Sequence, residues 1–300
     1  MAALPQVAWI GTGRMGTPMA GFLLAAGYPV RVFSRSAASR QKLMAQGAQE
    51  AASVADCVRG VQFVFSSLPD DTALREVAMG AQGVLANAPP GAIFADTSTV
   101  SVEVSEQVAA QAALRGIAYL RIPISGNAAQ AQKGEVTVLV SGPADAWDRL
   151  KPVCDRFSKA HVYLGTGEQA RGMKLVVNAM VYIFAQGMAE ALTLGRKAGL
   201  DWSTMLDTLS QSAIASPWLK VKAELMKRRD FTPTMTAPLV LKDLDLMLSA
   251  ARAQGVPMPL TAMTRQLMQM LVGAGLGDED YLATIKLAEM QAGLPSDRLD

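Results

Sequence analysis

Short apolar runs alternate with longer stretches that place apolar residues at helical spacing through the first half of the chain. The runs Val7 to Ile10, Val30 to Phe33, Val61 to Ser67 and Ala92 to Asp96 read as strands, and the stretches between them as crossover helices. That alternation predicts a parallel α/β sheet of the Rossmann, doubly wound type. Three further runs, Ala118 to Ile124, Val136 to Ser141 and His161 to Leu164, are expected to continue the same sheet. After Gly167 the pattern changes. Met, Leu and Ala recur at helical spacing through Lys174 to Ala198, Thr236 to Ala253 and Pro259 to Val272, with no strand-like alternation. The expected organisation is a nucleotide-binding domain over residues 1–165 and an all-helical domain over 166–300. One long helix from about Gln169 to Ala198 joins them.

Composition narrows the partners. The 300 residues exceed one ordinary core, so two domains with a cleft between them are expected. Half the residues are apolar, 18% are charged and the formal net charge is +2, which is not the basic footprint of a nucleic-acid binder. Met1 to Gln6 lack a basic, then apolar, leader, and no run of about 18 uncharged apolar residues occurs, so a soluble, cytoplasmic protein without membrane attachment is expected. Cys57 and Cys154 fit no metal or redox spacing and read as buried thiols. With His161 the single histidine, a multi-histidine metal site or a histidine-based triad is hard to build, and no metal is expected. The expected partner is a small molecule.

The glycine-rich segment "GTGRMG", Gly11, Thr12, Gly13, Arg14, Met15 and Gly16, follows the first apolar run directly and precedes a helix-like stretch. That context turns a weak G-x-G-x-x-G match into a dinucleotide-binding reading. Gly11 allows the tight turn, Gly13 lets a pyrophosphate approach the backbone, and Gly16 lets helix and strand pack closely. The helix start then offers free N–H groups to the phosphates. After the second strand, where a carboxylate would receive the adenosine ribose hydroxyls, the chain has Ser34, Arg35 and Ser36. A guanidinium and two hydroxyls suit a 2′-phosphate, which favours NADP(H), with NAD(H) left open.

In "RGMKLVVNAM", Lys174 and Asn178 lie four apart and so project from one helix face. Their neighbours Met173, Leu175, Val176, Val177, Met180 and Val181 are apolar, so this helix is expected to be buried around much of its circumference. A buried lysine and asparagine then need a functional reason.

With these residues in view, the chain resembles the beta-hydroxyacid dehydrogenase family, which includes 3-hydroxyisobutyrate dehydrogenases, glyoxylate and tartronate semialdehyde reductases, and relatives of 6-phosphogluconate dehydrogenase. The resemblance runs nearly the full length. It rests on the glycine loop, "SLPD" (Ser67 to Asp70), "DTST" (Asp96 to Thr99), "IPISGN" (Ile122 to Asn127), Lys174 with Asn178, and "LKDLDLML" (Leu241 to Leu248). It implies that Leu68, Pro69 and Thr99 line the cofactor and that Lys242 closes over it. It also implies that Ser125, Gly126 and Asn127 hold a substrate carboxylate, that Asn178 binds substrate, and that Lys174 is the catalytic acid–base group.

Three departures stand out. Arg121 replaces a common aspartate, Asn127 a second glycine, and Ala170 and Glu168 replace glycines ahead of the lysine. The reaction implied is reversible hydride transfer between NADP(H) and a small hydroxy acid or its aldehyde or keto acid. A lysine has an ordinary pKa near 10.4, and desolvation together with the positive nicotinamide would lower it toward a usable base. Two alternatives belong to other classes: an imine reductase-like NADPH enzyme, and a non-catalytic nucleotide-binding interaction module. The Met- and Leu-rich helical half, with its glycine-interrupted tail at Gly273 to Gly277, suggests burial against a second copy, as a homodimer or homotetramer.

Overall fold

A computed structural model describes residues 4–295 of the chain. Part of the Met1 to Gln6 stretch and the extreme ends of both expected domains, 1–3 and 296–300, lie outside the described residues. Six parallel strands form the main sheet: β1 Val7–Ile10, β2 Val30–Phe33, β3 Gln49–Glu50, β4 Phe63–Ser66, β5 Ile93–Asp96 and β6 Ala118–Arg121. Their order is β3-β2-β1-β4-β5-β6, so the chain reverses direction across the sheet between β1 and β4. The strand β3 is the unexpected member. It is two exposed polar residues at the sheet edge, too short to leave any apolar pattern.

Both faces of this sheet are covered, which is why its strands read as continuous apolar runs. Val7 and Trp9 face one core with Leu23, Phe65 and Phe157; Ala8 and Ile10 face the other with Val64, Leu74 and Phe94. Trp9 stacks on Phe65 at 4.9 Å between ring centroids, with Phe157 set edge-on to both. Both cysteines are buried and unpaired, and burial pushes the Cys57 thiol up to about 12.

Val136 to Ser141 and His161 to Leu164 do not continue this sheet, contrary to expectation. With β7 (Ile124–Ser125) they form a separate three-stranded sheet, in which β8 (Val136–Val140) runs antiparallel to β7 and parallel to β9 (Ser158–Tyr163). The break lies at Pro123, which has no N–H to donate to a ladder. Its carbonyl accepts from Leu139 at 3.1 Å, and an isolated bridge pairs Arg121 with Ser141.

The chain divides into two compact units, Met1–Val177 and Asn178–Asp300. The division falls inside the 29-residue helix Gln169–Lys197, beyond the 165/166 boundary read from the sequence. The helix begins under the control of the first unit: the Ala170 N–H donates to Ser141 Oγ at 3.1 Å, and Arg171 reaches Asp96 at 2.5 Å. By length and composition this helix could cross a membrane, but 50% of its most apolar window is buried in the fold. Nor is it buried all round. Lys174 and Asn178 are buried, at 8% and 7% exposure, whereas Val176 is 58% and Met180 68% exposed, so apolar residues cover one face of the helix without entering a core.

Among the described residues of the second unit, all regular elements are helical, including Trp202–Gln211, Pro217–Lys227, Ala237–Ala253, Pro259–Gly273 and Thr284–Gln291. Inside it, the buried Glu289 carboxylate receives Arg196 and Arg229, each at 2.6 Å.

The glycine loop shows how tightly β1 is joined to the first helix, Gly16–Ala25. A Cβ on Gly16 would fall on the Gly11 carbonyl and 2.8 Å from Trp9 Nε1, whereas one on Gly13 would meet nothing within 4 Å. Gly16→Ala is therefore expected to lower stability by about 2–3 kcal/mol through overpacking, while Gly13→Ala leaves it near the parent value. Thermal unfolding of the two variants side by side checks this, and equal melting temperatures would contradict it.

Candidate active site

The register of the sheet lines up one row of strand ends. Phe33, Ile10, Ser66, Asp96 and Arg121 stand side by side across β2, β1, β4, β5 and β6. Each is followed at once by a segment singled out from the sequence: Ser34 to Ser36, Gly11 to Gly16, Ser67 to Asp70, Thr97 to Thr99, and Ile122 to Asn127. The carboxyl edge of an open α/β sheet, at the reversal of strand order, is where such folds bind ligands.

At the centre of the row the glycine loop has the shape of a phosphate cradle. Gly11 has φ +91°, and its missing side chain leaves room for the Ser67 carbonyl. Gly13 is exposed with open space around it, and no side chain caps the start of the following helix. The positive end of the helix therefore opens beside Gly13. These residues fit a dinucleotide pyrophosphate. Thr12 is buried and donates to Ser39 Oγ at 2.8 Å, which ties the loop to the helix Ala37–Met44. Arg14 and Met15 complete the loop, Arg14 exposed and Met15 half-buried.

Beside it, Ser36 caps the helix Ala37–Met44 through its hydroxyl oxygen, and Arg35 is exposed. Arg40, to which sequence reasoning gave no role, donates to the Ser34 carbonyl and pairs with Glu50 at 2.6 Å. The motif spacing offered no sign of it, because its partner sits on the unexpected strand β3.

The next two segments are tied together by one buried carboxylate. Asp96 Oδ1 accepts from Ser66 Oγ at 2.5 Å and from Ser98 Oγ at 2.6 Å, and Ser98 Oγ in turn accepts from the Leu68 N–H at 2.8 Å. Leu68 is thereby fixed, with the exposed Pro69 following it, and Asp70 caps the helix Asp71–Met79. Thr99 is half-buried. It does not cap the helix Val102–Leu114, since Ser101 takes that position.

Arg171 completes this cluster from the first turn of the long helix. Its guanidinium donates to Asp96 Oδ2 at 2.5 Å, the Ser98 carbonyl at 2.6 Å, Tyr119 Oη at 2.9 Å and Ser105 Oγ at 3.3 Å. Burial alone would lower the Arg171 pKa, but Tyr119 and the Asp96 carboxylate outweigh it and hold the guanidinium charged, above its ordinary value. Burial likewise pushes Tyr119 up, so its phenol stays neutral. Lys174 lies three residues further along the same helix, on the buried face.

The remaining loop follows Arg121 and carries Asn127, and two of the departures noted in the sequence, Arg121 and Glu168, answer each other. Arg121 Nε donates to Glu168 Oε1 at 2.7 Å, its terminal nitrogen bonds the same oxygen, and its guanidinium lies 4.8 Å over the Tyr119 ring. Asn127 is the N-cap of a short helix, Ala128–Gln132, in a reciprocal capping box with Gln130. Its N–H is spent on Gln130 Oε1 at 3.0 Å, so that N–H is not free to hold a carboxylate. The Gly126 N–H and the Ser125 hydroxyl have no protein partner among the described residues.

In the second unit Asn178 Nδ2 donates to Asp243 Oδ2 at 2.8 Å, as does Tyr182 Oη at 2.8 Å, while Lys242 pairs with Asp243 Oδ1 at 3.0 Å. Asp243 therefore joins Asn178 to Lys242. Burial and the Asp243 charge push Tyr182 well above its ordinary pKa.

A doubly wound sheet with an open glycine cradle at its strand reversal defines a dinucleotide-binding protein, and comparison with known proteins sharpens the class. Residues 6–165 match the model described as the NAD binding domain of 6-phosphogluconate dehydrogenase. Residues 167–288 match that of the NAD-binding domain of NADP-dependent 3-hydroxyisobutyrate dehydrogenase. The chain is 30% identical over 297 residues to an NAD-dependent L-serine dehydrogenase of Pseudomonas aeruginosa, covering 97% of this chain and 100% of that one. It is 32% identical over 274 residues to a 3-hydroxyisobutyrate dehydrogenase of the same organism, covering 89% and 92%. The crystal structure of 3-hydroxyisobutyrate dehydrogenase from Salmonella typhimurium superposes with a TM-score of 0.85 at 28% identity, covering 94% of this chain and 99% of that one. The chain belongs to the beta-hydroxyacid dehydrogenase family: it is an NAD(P)-dependent oxidoreductase of hydroxy acids and semialdehydes.

The paired departures lead to a stability prediction. Glu168→Gln strips the charge that Arg121 faces at a nearly buried position, where removing one partner costs about 3–5 kcal/mol. Arg121→Met with Glu168→Met together is expected to cost much less than either change alone. Urea unfolding of the singles and the double checks this, and additive losses would contradict it.

Proposed function

We propose that this enzyme moves a hydride between NADP(H) and a small hydroxy acid or the corresponding semialdehyde, with Lys174 as the general acid–base group. The observation that carries the reading is a buried lysine one helical turn beyond an arginine fixed to the strand-end segment Asp96 to Ser98. When bound, the nicotinamide supplies the hydride acceptor or donor. In oxidation Lys174 Nζ takes the hydroxyl proton as neutral amine; in reduction the ammonium returns it to the new alkoxide oxygen. Ser125 Oγ and the Gly126 N–H are the donors offered to the substrate carboxylate. Asn178, braced by Asp243, orients the reacting oxygen. Burial of Lys174 keeps water from competing for the proton.

The preference for NADP(H) rests on the exposed Arg35 and the serine hydroxyls on either side of it, with Arg40 close by at the Ser34 carbonyl. One relative is named as NAD-dependent and one family model as NADP-dependent, so the preference is read from these side chains and not from the relatives. The substrate reading takes its candidates from the same comparisons: 3-hydroxyisobutyrate, L-serine, glyoxylate and succinic semialdehyde. Lys174 and the Ser125–Gly126 pair favour this chemistry over imine reduction. The exposed Met173, Val176 and Met180 on one helix face support assembly with a second copy, as a homodimer or homotetramer.

Lys174→Ala is expected to lower turnover by about 10²–10⁴-fold while leaving the NADP(H) dissociation constant unchanged. The assay is turnover with NADPH and NADH against glyoxylate, succinic semialdehyde and tartronate semialdehyde, and in reverse with 3-hydroxyisobutyrate and L-serine. A panel of cyclic imines runs in parallel. Equal loss of turnover and cofactor binding, or faster turnover of the imines, would refute the reading.

A further inference from the structure

We propose that Arg171 is the positioning residue for Lys174, setting where the lysine amine stands relative to the segment Asp96 to Thr99. The inference rests on the reading of Lys174 as the acid–base group and adds a residue that none of the matched motifs contains. A guanidinium presents five N–H groups in a rigid plane, and Arg171 forms four hydrogen bonds to partners from three places: Asp96 and Ser98 at the end of β5, Ser105 on the helix Val102–Leu114, and Tyr119 on β6. No other residue type can satisfy that set, since an ammonium is a point charge without the fork.

The partners are themselves tied into the fold. Asp96 is fully buried and holds Ser66 and Ser98; Ser98 holds Leu68; Thr97 Oγ1 donates to the Ser66 carbonyl at 2.8 Å. The first turn of the long helix is thus pinned at one point to the two strand-end segments expected to carry the cofactor. Lys174 is at i+3 from that point, on the same side of the helix, so its backbone position follows from where Arg171 is held. The two residues differ in task. Arg171 makes four hydrogen bonds to the protein and is 1% exposed, which keeps it away from substrate.

A lysine in place of Arg171 would keep the charge at Asp96 but release Ser98, Ser105 or Tyr119, and the helix start would shift or turn against the strand ends. Misplacing an acid–base group by about 1 Å costs about 100-fold in rate.

The test uses the full-length enzyme with the best substrate from the turnover panel. Arg171→Lys is expected to lower kcat by about 10–100-fold, with KM changed far less, the NADP(H) dissociation constant unchanged, and the ionisation limb of the kcat pH profile that is lost in Lys174→Ala moved. Arg171→Ala is expected to regain turnover when guanidinium chloride is added at millimolar concentration, and not when tetramethylammonium chloride is. A purely structural arginine would lower melting temperature without moving the pH limb and without selective rescue. Either that pattern or parent-like kcat in Arg171→Lys overturns the inference. Lys174→Ala separates the two levels. If it keeps turnover, the acid–base reading fails and this one with it; if it is inactive while Arg171→Lys behaves as the parent, the positioning role alone fails.

Discussion

The organisation of the nucleotide-binding unit depends on the buried pair of Asp96 and Arg171, 2.5 Å apart and 75 residues apart in sequence. A carboxylate sealed in a protein interior is costly unless every lone pair finds a donor. Here the donors come from Ser66, Ser98 and Arg171, so the carboxylate draws the ends of β4 and β5 and the first turn of the long helix to one point. The hydrogen bond from the Leu68 N–H to Ser98 carries this order outward to the neighbouring loop. The cradle at Gly13 stays open for the opposite reason: nothing in the protein fills it.

What the sequence disclosed follows the range over which each interaction acts. The central strands were legible because burial on both faces leaves continuous apolar runs, and the glycine loop because its spacing is local. Which sheet a strand joins was not legible. Val136 to Ser141 carries the same signal in either sheet, and the outcome turns on the missing N–H of Pro123 and on partners far along the chain. The strand β3 escaped because two polar edge residues have no period.

The same division holds at the site. Lys174 and Asn178 could be placed on one face by their spacing, but the apolar letters around them suggested a helix buried around much of its circumference, and Met173, Val176 and Met180 face outward. Arg171 stood in view as a lone charge ahead of an apolar run, and only the fold shows that its partner is Asp96. Asn127 read as a lost glycine. The Asn-x-x-Gln spacing from Asn127 to Gln130 was the local sign of a capping box, which gives the asparagine a structural task in the loop where the resemblance expects a bare backbone.

Arg121 and Glu168 carry a consequence for how the chain tolerates change at either position. Removing either charge leaves the other nearly buried without its partner, at a cost of about 3–5 kcal/mol. A whole domain has only about 5–15 kcal/mol to lose. A chain holding just one of the two would give up a large share of that margin, so the two departures are coupled through a single interaction. Counted position by position they are two departures from the family pattern; energetically they form one unit.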